Sequence, residues 1–232
     1  MRAIRTITSV LAVTALLAGC QGGMGADSGE AAEESAPVDT SESPSIEVDA
    51  DLWPLTGLAL DGGDSSLPAL SAKIDNASMA RPQVGLDEAD IVFEQLVEGG
   101  LTRYVAVWHS TLPAEVGPVR SVRPMDPDIV SPFGGIVAYS GGQQRFLEAM
   151  LEAPVASAIN GQSDVENFFY RSRDKIAPHN VIVRAPELVS YFQDRAGPPP
   201  QFNYSTSVVE SSAATGGAAA SRVRVFFCDS SF

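Results

Sequence analysis

Apolar and polar residues alternate along two runs, residues 91–98 and 101–109, which are separated by two glycines at 99–100. A period of two is typical of β-strands, and glycine adopts the positive φ angles of a tight primed turn without cost. The runs therefore predict an antiparallel hairpin with a two-residue loop, in which Phe93 faces Ala106. The core face of this hairpin would carry Ile91, Phe93, Val97, Tyr104, Ala106 and Trp108.

Further apolar segments predict strands and helices in the rest of the chain. Residues 135–139 and 180–183 are short β-branched runs typical of buried strands. Helices are expected over residues 146–153, from about Ser163, where a capping-box pattern begins, and over residues 186–195, which start with a proline. This mixture predicts an α+β fold, a layered mixed α/β sandwich that contains an antiparallel β-hairpin.

Composition divides the chain into segments. Residues 53–204 carry regularly punctuated apolar clusters, and about 150 residues suffice for one core. Residues 205–221 are rich in Ser, Ala, Gly and Thr and are expected to be a linker. Residues 222–232 begin with a strand-like run and are expected to be the truncated start of a C-terminal domain; the alternative is a strand that docks back onto the main domain. Cys228 would then be an unpaired thiol.

The N-terminus has the features of a bacterial lipoprotein signal peptide over residues 1–20. Arg2 and Arg5 precede an apolar run that is too short to span a bilayer, which requires about 20 apolar residues. The run ends in Leu-Ala-Gly-Cys, which resembles a lipobox and makes Cys20 the expected site of lipidation. An ordinary secretory signal with an incidental cysteine is the alternative. The expected location is the extracytoplasmic face of the bacterial cell membrane.

Charge and composition exclude several classes of function. The net charge is −14, and nine acidic residues with no basic ones between Gln21 and Asp51 predict that residues 21–52 form a disordered acidic tether. An acidic tail that recruits a cationic partner is the alternative for this segment. So acidic a chain repels nucleic acid, and no nucleic-acid partner is expected. Two cysteines and two histidines leave little for a metal centre, and neither a metal nor a cofactor is expected.

Arginines are concentrated in segments that are rich in glycine and proline, where binding sites tend to be built. The candidate ligand-binding residues are Arg81, Arg103, Arg120, Ser121 and Arg123. Guanidinium groups match planar oxyanions, so these residues could line a cleft for a carboxylate or phosphate. The alternative is that the arginines brace the loops through ion pairs with Asp87, Asp90, Glu94 and Asp126.

Catalytic patterns are weaker. Asp75, Asp90 and His179 are the candidates for acid–base chemistry, and the segment 73–76 could line the same cleft as the arginines. His109 could take part, although a lone histidine is more often structural. Ser140 follows a predicted strand but lacks the first glycine of a nucleophile elbow.

Five motifs, which follow one another along the chain, resemble those of a known family. They are Trp-Pro-Leu-Thr-Gly at 53–57, Ala-Arg-Pro-Gln at 80–83, Gly-Leu-Asp-Glu-Ala-Asp-Ile-Val at 85–92, Glu-Gly-Gly-Leu-Thr-Arg at 98–103 and Gly-Pro-Val-Arg-Ser-Val-Arg-Pro at 117–124. This set resembles the YerB-like bacterial lipoproteins, a family of unknown function. The resemblance implies a membrane-anchored extracytoplasmic protein with a layered α/β domain and a second domain after a linker. It assigns no catalytic residues.

Together these features predict a membrane-anchored extracytoplasmic lipoprotein. Its folded part is expected to bind an anionic small molecule or envelope peptide, or to scaffold envelope components, through an arginine-lined cleft. The alternatives are an envelope hydrolase or transferase that uses Asp75, Asp90 or His179, and a structural partner in a membrane complex. A binding role is favoured over an enzymatic one, because no catalytic template accompanies the arginines.

Overall fold

The computed structural model describes residues 52–226, which form two β-sheets and four short α-helices. The larger sheet has five strands in the order β2-β3-β1-β5-β6. Its strands are β1 (Leu70–Asp75), β2 (Ile91–Leu96), β3 (Thr102–Trp108), β5 (Ile136–Tyr139) and β6 (Ala156–Ile159). The smaller sheet has the order β4-β8-β7, with β4 (Glu115–Val116), β7 (Phe169–Arg171) and β8 (Val181–Arg184).

The fold class predicted from the sequence is confirmed: strands and helices form layers, and the larger sheet mixes parallel and antiparallel pairs. β1 pairs in parallel with β5 and antiparallel with β3. One face of this sheet packs against the smaller sheet and α3 (Ala185–Tyr191), around residues such as Ala106 and Leu188. The other face packs against α1 (Asp126–Val130) and α2 (Gln144–Glu152), around Tyr139 and Met150.

The hairpin of β2 and β3 forms where the sequence predicts it, but the register is shifted by one residue. Phe93 faces Val105 rather than Ala106, and the Val97 amide donates to the Leu101 carbonyl at 2.8 Å. The loop therefore has three residues, Glu98–Gly100, and not two. Because a shift of one residue moves every side chain to the opposite face, Phe93 does not share a face with Ala106.

Strand β1 lies in the middle of the larger sheet, where the sequence analysis assigned no strand. Its apolar residues Leu70, Ala72 and Ile74 alternate with Ser71, Lys73 and Asp75, and all six are buried. Such alternation is typical of a strand with one buried and one exposed face. In β1 both faces are buried, and the ionisable groups on the polar face are paired inside the protein.

Among the predicted helices, α2 is confirmed. Phe146 and Met150, four residues apart, are buried on one side of it. The helix ends at Glu152, because the next residue, Ala153, is extended before Pro154. The helix predicted from Ser163 is wrong. Only a 3₁₀ turn, Glu166–Phe168, forms there, because the chain then enters β7 and pairs with β8.

Near the C-terminal end of the described chain, one predicted helix and one predicted strand differ from the structure, and the predicted linker stays a prediction. α3 is shorter than the predicted helix over residues 186–195. Beyond it, the amides of Gln193 and Arg195 donate to the carbonyls three positions earlier, as in a 3₁₀ turn. Residues 205–221 contain a 3₁₀ turn, Val208–Glu210, and one short α-helix, α4 (Ser212–Gly216). Residues 222–226 form no strand, and Val223 and Phe226 are 82% and 75% exposed. Phe227 and Cys228 lie outside the described residues.

The described residues contain no helix that is both long and apolar enough to cross a membrane. The predicted signal peptide, Cys20 and most of the predicted tether precede residue 52 and lie outside the described part of the chain.

Candidate functional site

One edge of the larger sheet collects several of the predicted site residues. β1, β5 and β6 run parallel and end at this edge, whereas β3 runs the opposite way and begins there. Asp75, the last residue of β1, therefore lies beside Arg103, near the start of β3. Loops beyond the carboxyl ends of parallel strands are where α/β proteins place their ligands.

A short extended segment, residues 118–122, inserts at this edge between β1 and β5. The pairing of β1 with β5 ends at Ala72 and Ala138, and beyond these residues the segment bonds to both strands. The Arg120 amide donates to the Lys73 carbonyl at 2.8 Å, and the Ser140 amide donates to the Arg120 carbonyl at 3.1 Å. The insertion brings Arg120 next to the end of β1, although 45 positions separate Arg120 from Asp75 in the sequence.

Asp75 is the centre of the arrangement. Its carboxylate is 4% exposed, and Oδ2 lies 2.6 Å from Nδ1 of His179 and 3.1 Å from Nε of Arg120. Its other oxygen, Oδ1, accepts the Ala77 amide at 3.1 Å. The His179 contact is a hydrogen bond, whereas the Arg120 Nε–H is not aligned with the carboxylate and makes no hydrogen bond within the described chain. Asp75 thus orients the imidazole of His179 and only partly satisfies Arg120.

Arg103 is buried to 9% exposure at the same edge and has no carboxylate within 4.0 Å among the described residues. Its Nη1 donates to the backbone carbonyl of Ser121 at 2.7 Å. Burial, together with the positive charges of Arg123 and Arg120, lowers the pKa of Arg103 to about 10. The side chain is still charged at neutral pH, and a nearby anion would stabilise it.

The remaining predicted ligand-binding residues have structural partners. Arg123 donates from Nε and Nη2 to Oε2 of Glu98 at 2.8 and 2.7 Å, so it braces the hairpin loop. Arg81 donates to the side chain and carbonyl of Asn76 at 2.9 and 3.1 Å. Ser121 contributes its carbonyl, which accepts Arg103, and its hydroxyl makes no hydrogen bond with the described residues. The structure therefore divides the predicted cluster: Arg123 and Arg81 brace loops, and Arg103 and Arg120 keep unused hydrogen-bonding capacity.

A buried ion pair supports the inserted segment from below. Nζ of Lys73 lies 2.7 Å from Oδ1 of Asp126, and each side chain is 1% exposed. Lys73 also donates to Oε1 of Gln95. Asp126 Oδ2 accepts the Arg123 amide at 2.6 Å, which ties the end of the segment to the sheet. Burial lowers the pKa of Lys73, and the charge of Asp126 acts in the opposite direction.

Two of the titratable candidates lie at the opposite edge of the sheet. Asp90 accepts the amides of His109 and Ser110 at 2.7 and 2.8 Å, just beyond the end of β3. His109 contacts the Leu67 carbonyl at 3.0 Å and packs edge-on against Trp53. Burial lowers the pKa of His109. Both residues have structural partners there, and neither is near Asp75, because β3 runs from one edge to the other.

Sequence reasoning missed the loop between β7 and β8. Arg171, Arg173 and Lys175 lie just before His179, and three cations within five residues were the available signal. The side chain of Asn180, which is 6% exposed, organises the loop by donating to the Ser172 carbonyl at 3.0 Å.

A groove of about 530 Å³ in the described part of the chain is lined by Val84, Gly85, Glu88, Pro113, Ala114, Glu115, Arg184, Pro186 and Glu187, and it does not coincide with the predicted arginine-lined cleft. None of the predicted ligand-binding residues lines it. Among residues 52–226, no group of three His, Cys, Asp or Glu side chains is arranged to hold a metal ion.

We call Asp75, Arg103, Arg120 and His179 the carboxyl-edge cluster.

Comparisons with known proteins agree with the resemblance seen in the motifs. The family described as protein of unknown function (DUF3048), N-terminal domain, matches residues 55–199, a range that contains the whole carboxyl-edge cluster. The Bacillus subtilis (strain 168) protein called Putative lipoprotein YerB is 35% identical over 127 residues, which are 55% of this chain and 38% of that protein. The crystal structure of the YerB protein from Bacillus subtilis superposes with a TM-score of 0.57 at 26% identity, and the match covers 64% of this chain and 53% of that chain. This chain therefore spans only part of the length of both relatives.

Proposed function

Since this chain belongs to the DUF3048 N-terminal domain family, whose function is unknown, we propose that it is a lipid-anchored envelope protein whose carboxyl-edge cluster binds an anionic ligand. The ligand would be a small molecule or an acidic group of an envelope peptide or component. The observation that carries the proposal is Arg103, a buried guanidinium with no carboxylate within 4.0 Å in the described chain.

The charge of Arg103 is not fully balanced by the protein. Arg103 is a buried cation beside two other arginines, and the charges of Asp75 and Glu98, both more than 4.0 Å away, offset this only in part. Burial of such a charge is costly, and a bound anion would reduce the cost. Arg120 lies 3.1 Å from Asp75 without a hydrogen bond from its Nε, so its guanidinium can turn to an incoming oxyanion. Arg103 and Arg120 present forks of donors that suit a phosphate or carboxylate.

Titration calorimetry of the full-length protein with inorganic phosphate at low ionic strength tests this proposal. We expect saturable binding that Arg120→Gln weakens by about tenfold or more. The matched control is Arg195→Gln, because Arg195 is exposed beyond α3 and should not alter binding. Absence of phosphate binding to the wild-type protein, or equal binding by Arg120→Gln, would contradict the proposal.

The anchor is part of the proposal. Its support is the Leu-Ala-Gly-Cys sequence that ends at Cys20 and the name of the Bacillus subtilis relative, which calls that protein a lipoprotein. Cys20→Ala should move the protein from the membrane fraction to the soluble extracytoplasmic fraction. Continued sedimentation with membranes would contradict lipidation at this residue.

A second candidate function, acid–base catalysis on the bound anion, has one specific observation in its favour. Asp75 holds Nδ1 of His179 at 2.6 Å, and Nε2 makes no hydrogen bond with the described residues. A carboxylate that orients an imidazole in this way is the arrangement of a general acid–base pair. Hydrolysis of chromogenic phosphate or acyl esters that His179→Gln abolishes would support this function. Equal rates for the variant and the wild-type protein would contradict it.

A further inference from the structure

β2 is an edge strand of the larger sheet, and its outward backbone groups have no partner within the described chain. The Val97 amide donates to the Leu101 carbonyl, and hydrogen-bonded and non-bonded residues alternate along an antiparallel pair. The amides and carbonyls of Val92, Glu94 and Leu96 therefore point away from β3, and no described group bonds to them. An open edge of this kind is a template for a further strand.

The two faces of this edge differ in polarity. On one face Ile91 and Phe93 are half-buried and pack against the cluster around Phe133, with 5.9 Å between the Phe93 and Phe133 ring centroids. On the other face Val92 is 44% exposed, and Glu94 is exposed with no cation within 4.0 Å of its carboxylate among residues 52–226. A complementary strand would therefore carry apolar side chains on one side and a cation on the other.

Residues 222–226, Arg-Val-Arg-Val-Phe, have that pattern. In an extended chain the two valines point to one side, and both arginines and the phenylalanine point to the other. The Arg224 guanidinium lies 5.8 Å from the centroid of the Phe226 ring, so these two side chains share a side. The segment pairs with no described strand, and its apolar side chains are exposed. It therefore carries the side chains that the open edge lacks.

The chain reaches this segment from beside β2. Gln201 Nε2 donates to the Pro132 carbonyl at 3.0 Å, next to Phe133, which packs under the strand. Burial and the charge of Asp90, the residue before β2, raise the pKa of Tyr204, so Tyr204 lies near the start of that strand. The residues between Tyr204 and the segment are enough to cover several tens of ångströms even with α4 folded, whereas a six-residue strand is about 20 Å long. The segment therefore reaches the whole edge.

We propose that residues 222–226 add to the larger sheet as a sixth strand, antiparallel to β2, with Arg224 opposite Glu94. This register places Val225 opposite Phe93 on the half-buried face. The opposite charges meet on the exposed face, where cross-strand ion pairs stabilise a sheet. A second copy is a poorer occupant, because two β2 strands paired over their full length about a two-fold axis would bring their Glu94 carboxylates together. The proposal does not depend on anion binding.

Amide hydrogen exchange of the full-length protein, followed by NMR, tests the proposal at the outward amides of β2. We expect the amides of Val92, Glu94 and Leu96 to exchange at least about tenfold more slowly in the wild-type protein than in Val225→Asp. The substitution puts a carboxylate against Phe93 and leaves the core unchanged, since Val225 is 70% exposed.

The matched control is Val208→Asp, which changes an 84% exposed valine outside the segment. It should leave the exchange rates of the β2 amides at their wild-type values. Equal rates in the wild-type protein and in Val225→Asp would overturn the proposal.

Disulfide trapping separates pairing within one chain from pairing between two copies. In a full-length chain whose two native cysteines are replaced by serine, Val92→Cys combined with Phe226→Cys should oxidise to a crosslinked monomer, because directly opposite residues of an antiparallel pair are within disulfide reach. The out-of-register combination of Val92→Cys with Val223→Cys should crosslink more slowly. Equal rates for the two combinations would overturn the proposed pairing. Crosslinked dimers in place of monomers would also overturn it and would assign the edge to another copy of the chain.

Discussion

The buried pair of Lys73 and Asp126 offers a prediction whose size follows from the structure. Nζ and Oδ1 are 2.7 Å apart, and both side chains are 1% exposed. Lys73→Met keeps most of the apolar stem but leaves the Asp126 carboxylate buried without its cation, and it removes the donor to Gln95. Breaking one side of a buried ion pair costs about 3–5 kcal/mol. That is a large part of the roughly 5–15 kcal/mol that stabilises a typical domain.

A double-mutant cycle isolates the pair from the rest of its surroundings. Asp126→Asn retains an acceptor for the Arg123 amide, which lies 2.6 Å from Oδ2 in the native protein, and removes the negative charge. The variant that combines Lys73→Met with Asp126→Asn should be destabilised by about 2 kcal/mol less than the sum of the two single variants. The reason is that each single change leaves one buried charge alone, whereas the double change leaves none.

Denaturant unfolding followed by tryptophan fluorescence measures these differences, because Trp108 is fully buried in the core. The exposed control Arg195→Met should change the free energy of unfolding by less than about 0.5 kcal/mol. Strictly additive single and double variants, or a Lys73→Met variant as stable as the control, would refute the role of the pair in holding the inserted segment.

Two further predictions concern the hairpin loop and the entry to β5. The hydrogen bond from Arg123 lowers the pKa of Glu98 below its ordinary value. The contact therefore stabilises the folded protein fully at pH values above the unfolded-state pKa of Glu98. This stabilisation is lost as the pH falls through the folded-state pKa. Glu98→Gln should therefore reduce the fall of the melting temperature on acidification below about pH 4, and identical slopes for variant and wild type would contradict this. Gly135→Ala should lower the melting temperature clearly more than Gly134→Ala, since both glycines have positive φ but only at Gly135 would a Cβ atom lie 2.3 Å from the Ala69 carbonyl oxygen. Equal effects of the two substitutions would show that the close approach to Ala69 has no energetic consequence.

Local sequence patterns predicted those elements that bury one face and expose the other. α2 is an example, because Phe146 and Met150 form a single buried stripe and Pro154 follows its end. The register of the hairpin was not predictable in the same way. Val105 and Ala106 are both buried, since β3 is covered on both faces, and alternation then cannot choose between registers. The absence of a helix at Ser163 depends on pairing with β8, which no local pattern contains.

The candidate site shows a similar division. The arginines were found from their clustering in loops, but the sequence could not separate Arg123, which braces Glu98, from Arg103, which has no such partner in the described chain. The contact between Asp75 and His179 joins residues 104 positions apart and requires the smaller sheet to pack on the larger one. Spacing alone carries no information about that packing.

The proposed function requires that Arg103 and Arg120 receive an anion at the carboxyl edge of the sheet. Heteronuclear NMR of the arginine Nε–Hε groups during a titration with inorganic phosphate tests it at the atoms concerned. We expect saturable shifts of the Arg103 and Arg120 signals, and unchanged signals for the exposed Arg145 and Arg195. Uniform small shifts of all four signals, or no shift at Arg103 and Arg120 at saturating phosphate, would contradict it.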